Sequence, residues 1–98
     1  MLDQAILSEV KRTLAQLAAI SPGRAIEVRI PPYAAIQCGD GPSHSRGTPP
    51  NVIEMQAQTW LALVSGEKSW AAALLSGEIR ASGARADLSP FLPLRITP

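Results

Sequence analysis

The side chains best suited to chemistry in this chain are its one cysteine, Cys38, and its one histidine, His44. A cysteine acts as a nucleophile when a nearby base lowers its pKa, and His44 is the only histidine available for that task. The sequence offers no recognisable third group to orient the histidine, and Cys38 is predicted to share a strand face with Ile36. We therefore interpret Cys38 as a small buried hydrophobe with an inert thiol.

The segment around His44 is also a candidate for binding an anion. His44 and Arg46 stand among glycines and serines. Backbone amides of such a segment, together with a guanidinium, can hold an acidic head group. No phosphate-loop motif surrounds the segment, so a solvated loop is the favoured interpretation. His44 and Arg46 remain the candidate head-group residues.

The acidic residues do not suggest an active site. They are too scattered for any two to be proposed as an acid–base couple or a metal site: Glu54, Glu67, Glu78 and Asp87. One cysteine and one histidine cannot supply the ligands of a structural zinc ion. We therefore predict no catalytic residues, no metal and no cofactor, and we expect that the protein is not an enzyme.

Length and composition predict one small domain over residues 1–98, because 98 residues can bury only a modest core. Nine basic against eight acidic side chains give a net charge of +1, which argues against a nucleic-acid partner. Charged residues interrupt the N-terminal segment, and no apolar run approaches the ~20 residues that a membrane span needs. We expect no targeting segment and no stable membrane insertion, and the single cysteine suits a reducing, cytoplasmic location.

Hydrophobic periodicity predicts the first elements. Apolar residues recur at helical spacing over residues 3–19, which indicates an amphipathic helix capped by Asp3. Alternation over residues 26–30 and 34–38 predicts two antiparallel strands separated by Pro31-Pro32. Residues 39–50 are rich in Gly, Pro and Ser and predict a long surface loop before a third strand at residues 51–55.

Two short tryptophan-containing helices form the centre of the predicted fold. The first carries Trp60 and ends at Gly66, and the second is opened by Ser69 and Trp70. Both have almost no polar face, and such helices are normally enclosed on more than one side. A fourth strand at residues 78–82, a turn of helix at 86–88 and a proline-rich tail packed on the core complete the chain.

This central stretch resembles the sterol-carrier-protein family of small lipid-binding domains. The motifs that carry the likeness are Thr59-Trp60-Leu61, Ser69-Trp70-Ala71, Glu78-Ile79-Arg80-Ala81-Ser82-Gly83 and Arg85-Ala86-Asp87-Leu88. Further motifs are similar to those of a short bacterial, mainly actinobacterial, branch: Pro31-Pro32-Tyr33, Gln37-Cys38 and Arg46-Gly47-Thr48-Pro49-Pro50-Asn51. The pattern and the resemblance together predict an α+β fold, with an antiparallel sheet of four to five strands packed against the N-terminal helix and the two tryptophan helices.

The resemblance implies a non-enzymatic lipid-binding or lipid-carrier domain. In the family, a sheet backed by helices encloses an apolar tunnel for fatty acyl chains, sterols or similar lipids. We expect an apolar ligand between the sheet and the helices, contacting Ile36, Val52, Trp60, Leu61, Val64, Trp70, Leu74, Ile79 and Phe91. The candidate head-group residues, His44 and Arg46, would contact its polar end.

Two other functions stay open at this point. The spare apolar face of the tryptophan helices could serve homodimerisation or the docking of a partner, in a domain that keeps the fold without a ligand cavity. A domain of this length must bury apolar residues in its own core first, which favours that alternative. A similar fold also occurs in thiol-dependent isomerases, but the chain has no recognisable nucleophile arrangement for that chemistry.

Overall fold

The structure, a computed structural model, describes residues 2–41 and 51–94. These residues form three α-helices, four strands and a short 3-10 helix. Their order is α1 (Gln4–Ile20), β1 (Ile26–Ile30), β2 (Ala34–Cys38), β3 (Val52–Met55), α2 (Ala57–Ser65), α3 (Trp70–Leu75), β4 (Ile79–Ser82) and the 3-10 helix (Ser89–Phe91).

Helix α1 has the boundaries and the buried face that the sequence predicts. The Asp3 carboxylate accepts hydrogen bonds from the backbone amides of Ala5 and Ile6 at 2.9 and 3.1 Å. These bonds satisfy donors that have no partner inside the first turn of a helix. The side of α1 that carries Val10, Leu14 and Leu17 is buried, and the helix packs against β2 and α2.

The four strands form one sheet in the order β2-β1-β3-β4. The outer pairs are antiparallel, with Val28 opposite Ile36 in β1–β2 and Ile53 opposite Ala81 in β3–β4. The central pair, β1–β3, is parallel, with Val28 opposite Ile53. The prediction of four strands is confirmed, but the prediction of an antiparallel sheet is wrong at this central pair, and the sheet is mixed.

The path of the chain explains the parallel pair. Strand β2 returns the chain to the end of the sheet where β1 began, and β3 starts from that same end. The amide of Glu27 in β1 donates to the carbonyl of Asn51, the residue before β3, at 2.9 Å. Strand β3 therefore lies beside β1 and runs in the same direction, whereas a meander would have placed it beside β2.

Alternation along the strands gives the sheet one apolar and one polar face. Val28, Ile30, Ile53 and Met55 point into the core that α1 and α2 cover. The opposite face, called the polar face here, carries Glu27, Arg29, Glu54 and Arg80, which are partly or fully exposed. Glu27 and Arg29 form an ion pair on this face.

The two tryptophan helices differ in burial. Helix α2 buries Ala57, Thr59, Trp60, Leu63 and Val64, and it ends at Gly66 with a φ of 87°, the left-handed cap that the sequence predicts. Helix α3 buries only Ala73, while Leu74 and Leu75 are 43% and 91% exposed. The prediction that these apolar helices are enclosed on more than one side is thus confirmed for α2 and wrong for α3. Helix α3 contacts β4, an edge strand, and in the part of the chain that the structure describes its other side faces solvent at Leu74 and Leu75.

The C-terminal segment lies against the core as expected, with a different local shape. The helical turn predicted at residues 86–88 is found instead as the 3-10 helix Ser89–Phe91. Leu88 and Leu94 are buried on either side of it. The amide of Leu94 donates to the carbonyl of Val64 at 3.1 Å, which ties this segment to the end of α2.

Candidate ligand-binding groove

Cys38 lies at the end of β2 with none of its surface exposed. It pairs with Ile26 across the β1–β2 hairpin, so the predicted burial of the thiol is confirmed. Burial disfavours the charged thiolate and raises the pKa of Cys38 from 9.0 to about 11. A thiol in this environment is a poor nucleophile at neutral pH. His44 lies outside the described residues, as does Arg46.

We expect iodoacetamide to leave Cys38 unmodified in the folded protein at neutral pH, because the thiolate is the reacting species. Mass spectrometry should show one added carbamidomethyl group only after unfolding in urea. Because the pKa of Cys38 is higher in the folded than in the unfolded protein, its contribution to the free energy of unfolding is fully present below pH 9.0. This contribution is lost as the pH rises toward about 11. Rapid labelling of folded protein at pH 7 would contradict the assignment of an inert thiol.

Three of the predicted ligand-binding residues are almost completely buried. Trp60, Val64 and Ile79 expose 0%, 5% and 3% of their surface. The Trp60 indole Nε1–H donates to the Thr13 hydroxyl at 2.7 Å, and that hydroxyl donates in turn to the Glu9 carbonyl at 2.6 Å. Trp60 therefore fastens α2 to α1 through a fully satisfied buried polar contact.

Four further predicted residues lie at the rim of the core. They are partly buried and pack against the core cluster: Ile36, Leu61, Trp70 and Phe91. They come from β2, α2, α3 and the 3-10 helix, and none of the four lines either of the two grooves described next.

The structure does bring Val52, Leu74 and Ile79 together. These three predicted residues line a groove of about 450 Å³ beside β4, called the edge groove here. The remaining lining residues are Glu54, Arg80, Ala81 and Ser82. Because no strand among the described residues pairs with the outer side of β4, the groove extends around the edge of the sheet, from α3 to the polar face.

A larger groove of about 750 Å³ lies at the end of the sheet where β1 and β3 both terminate. Its lining includes Pro31, Pro32 and Met55 from the strand ends and Ala62 from α2. No sequence pattern predicted this second groove, since its walls come from segments far apart in the chain. Arg80 and Glu54 line both this second groove and the edge groove.

An ion pair forms one wall of the second groove. Lys68 Nζ donates to the two Glu78 carboxylate oxygens at 2.7 and 2.6 Å, and the Ser76 hydroxyl donates to Glu78 at 2.7 Å. Hydrogen bonding from Lys68 is the largest cause that lowers the pKa of Glu78. Glu78 is thus held as a carboxylate, which is the wrong protonation state for a general acid at neutral pH.

Comparison with known families supports the resemblance drawn from the motifs. A family model described as bacterial SCP ortholog, where SCP denotes sterol carrier protein, matches residues 3–94. The chain belongs to this sterol-carrier-protein-like family. A search among curated proteins found no match. Sterol-carrier-protein-like domains are generally non-enzymatic carriers, which agrees with the buried thiol of Cys38.

The described part of this sterol-carrier-like chain shows neither a membrane-spanning helix nor a cluster of metal ligands. Within residues 2–41 and 51–94, no helix has both the length and the apolar character that crossing a bilayer requires. The same residues hold no group of three or more His, Cys, Asp or Glu side chains placed to bind a metal ion.

Proposed function

We propose that this chain is a non-enzymatic lipid-binding domain whose apolar ligand, an acyl chain or a sterol-like body, lies in the edge groove. The observation that carries the proposal is the meeting of Val52, Leu74 and Ile79 beside β4, in a chain that belongs to a family of carrier-type domains. The groove's volume of about 450 Å³ falls within the range typical of small-molecule sites.

A ligand in the edge groove would bury apolar surface of α3 that is exposed to solvent. Leu74 is 43% exposed at the groove, and Trp70 is only partly buried on the same helix. Burying such surface contributes about 25 cal/mol per Å² of apolar area removed from water. A ligand in the groove therefore gains affinity from surface that the protein leaves in contact with solvent.

Helix α3 also suggests how the site extends inward. It spans six residues, and Ala73 is its only buried residue, so displacing it disturbs less of the core than displacing α1 or α2. We propose that outward movement of α3 from β4 uncovers Ile79 and lengthens the groove toward Trp70. Leu61, Val64 and Phe91 are the further contacts that we propose for longer ligands, whereas Ile36 lies on β2, at the opposite edge of the sheet from β4.

The test is ligand binding by delipidated protein with a pair of matched variants. Native mass spectrometry after reloading with fatty acids or sterols should show a one-to-one complex. Leu74→Ser should weaken binding about fivefold to tenfold, because it removes apolar contact with the ligand. Leu75→Ser is the control, since Leu75 lies next to Leu74 but does not line the groove. Absence of any acyl or sterol complex in the unmodified protein would rule the function out.

A second candidate function is an interaction module, and the exposure of Leu75 favours it. This side chain is 91% exposed at the end of α3, the helix that contacts the edge strand β4. Burial of this exposed apolar side chain against another protein surface would stabilise a complex. Sedimentation velocity separates the candidates: a homodimer that Leu75→Ser dissociates supports the module, whereas a strict monomer rules out its homodimeric form.

A further inference from the structure

Arg80 is the one guanidinium in the described part of the chain that has no hydrogen bond or ion pair. The other arginines at residues 2–41 and 51–94 all have a polar partner: Arg12 with Glu9, Arg24 with Gln37, Arg29 with Glu27, and Arg85 with the Asp40 carbonyl. Lys68 near the grooves is paired with Glu78. Arg80 therefore keeps its donors available for a ligand.

Arg80 lies beside both grooves, where its guanidinium donors can contact a ligand. It lies on β4 between the edge groove and the second groove and lines both. Its neighbours Ile79 and Ala81 belong to the edge groove, which also contains Leu74. A guanidinium at the rim of a partly apolar groove suits an amphiphile, because the cation contacts an acidic head while the apolar chain follows the groove.

Glu54 is the second charged residue at this position. It lies directly opposite Arg80 in the β3–β4 register, lines both grooves and forms no hydrogen bond within the described residues. Its carboxylate attracts Arg80 and repels any acidic group that approaches the guanidinium. Glu54 should therefore weaken the binding of an acidic head, opposite to the effect of Arg80.

We propose that Arg80 binds the acidic head group, a carboxylate or a phosphate, of an amphiphile whose chain lies in the edge groove. The proposal rests on the proposed lipid-binding function and adds the class of ligand to it. The head-group contact then lies on β4, in the described part of the chain, and it is separate from the sequence candidates His44 and Arg46.

The experiment compares three probes with the same chain: dodecanoate, dodecyl phosphate and the neutral dodecanol. Arg80→Gln should weaken binding of the two acidic probes about fivefold to tenfold and leave dodecanol unchanged, because only the charge-assisted contact is lost. Glu54→Gln should tighten binding of the acidic probes about twofold to threefold, since it removes the opposing charge. A destabilised variant would not produce this gain.

Lys11→Gln is the matched control, because Lys11 is an exposed α1 residue that also has no polar partner among the described residues. It removes the same net charge and should change no affinity. A response confined to one acidic probe identifies the head group as carboxylate or phosphate. Equal binding of acidic and neutral probes that Arg80→Gln leaves unaltered would overturn the role of Arg80 while the lipid-binding function stands. Failure of all three probes to bind overturns the role of Arg80, and the lipid-binding function is overturned with it if sterols also form no complex.

Discussion

Trp60→Ala is expected to lower the free energy of unfolding by about 3–5 kcal/mol. The side chain is fully buried, and it is the largest of the completely buried side chains. Its removal leaves a cavity between α1 and α2 and leaves the Thr13 hydroxyl without the indole N–H that it accepts at 2.7 Å. Urea unfolding followed by circular dichroism measures the change, because this signal does not depend on tryptophan fluorescence.

Two variants separate the causes of that loss. Thr13→Val keeps the volume but leaves the indole N–H unpaired, which should cost about 1–3 kcal/mol. Trp70→Ala removes the same side chain from α3, where it is only partly buried, and should cost about 1 kcal/mol. Equal destabilisation by Trp60→Ala and Trp70→Ala would contradict the different burial of the two helices.

Asn51→Ala is expected to lower the free energy of unfolding by about 2–4 kcal/mol, because it leaves two backbone groups unpaired. The Asn51 Nδ2 amide donates to the Ala25 carbonyl, and its Oδ1 accepts from the Arg85 amide, both at 2.8 Å. Only 5% of the residue is exposed, so water cannot fully replace either bond. One side chain thus connects the start of β1, the start of β3 and the turn after β4.

Gln56→Ala is the control for Asn51→Ala, since it also removes a side-chain amide. Gln56 is exposed at the start of α2 and forms no capping hydrogen bond there. The control should change stability by less than about 0.5 kcal/mol. The same urea titration applies to both variants. A loss for Asn51→Ala no larger than that of the control would show that its two hydrogen bonds contribute little.

Elements defined by local pattern could be predicted from the sequence. The spacing of Val10, Leu14 and Leu17 and the cap at Asp3 predict α1, and the alternation of β1 and β2 predicts their hairpin. The direction of β3 is different, because it depends on which end of the sheet the chain has reached when β3 begins, after the residues that separate it from β2. Side-chain alternation is identical in parallel and antiparallel strands, so the sequence contains no local signal for it.

The burial of α3 and the residues of the site were harder to predict from the sequence, for a related reason. An apolar hexapeptide can lie inside a protein or at its edge, and the exposure of Leu75 is set by its neighbours in space. For the same reason, the ligand-binding set predicted from the sequence contains both Trp60, which lies in the core, and Leu74, which lines the edge groove. No sequence pattern distinguishes Arg80 from the other arginines, because only the structure shows which guanidinium groups have a polar partner.

The parallel pairing of β1 with β3 also determines the order in which this domain can assemble. The β1–β2 hairpin closes over a turn of a few residues, whereas β3 reaches β1 only after the chain has passed residues 39–51. Bringing the two ends of this segment together costs chain entropy before β3 and β4 contribute their contacts, so we expect the central pairing to be the slow step. Insertions between β2 and β3 should then slow folding more than they accelerate unfolding, which stopped-flow measurements on insertion variants can establish.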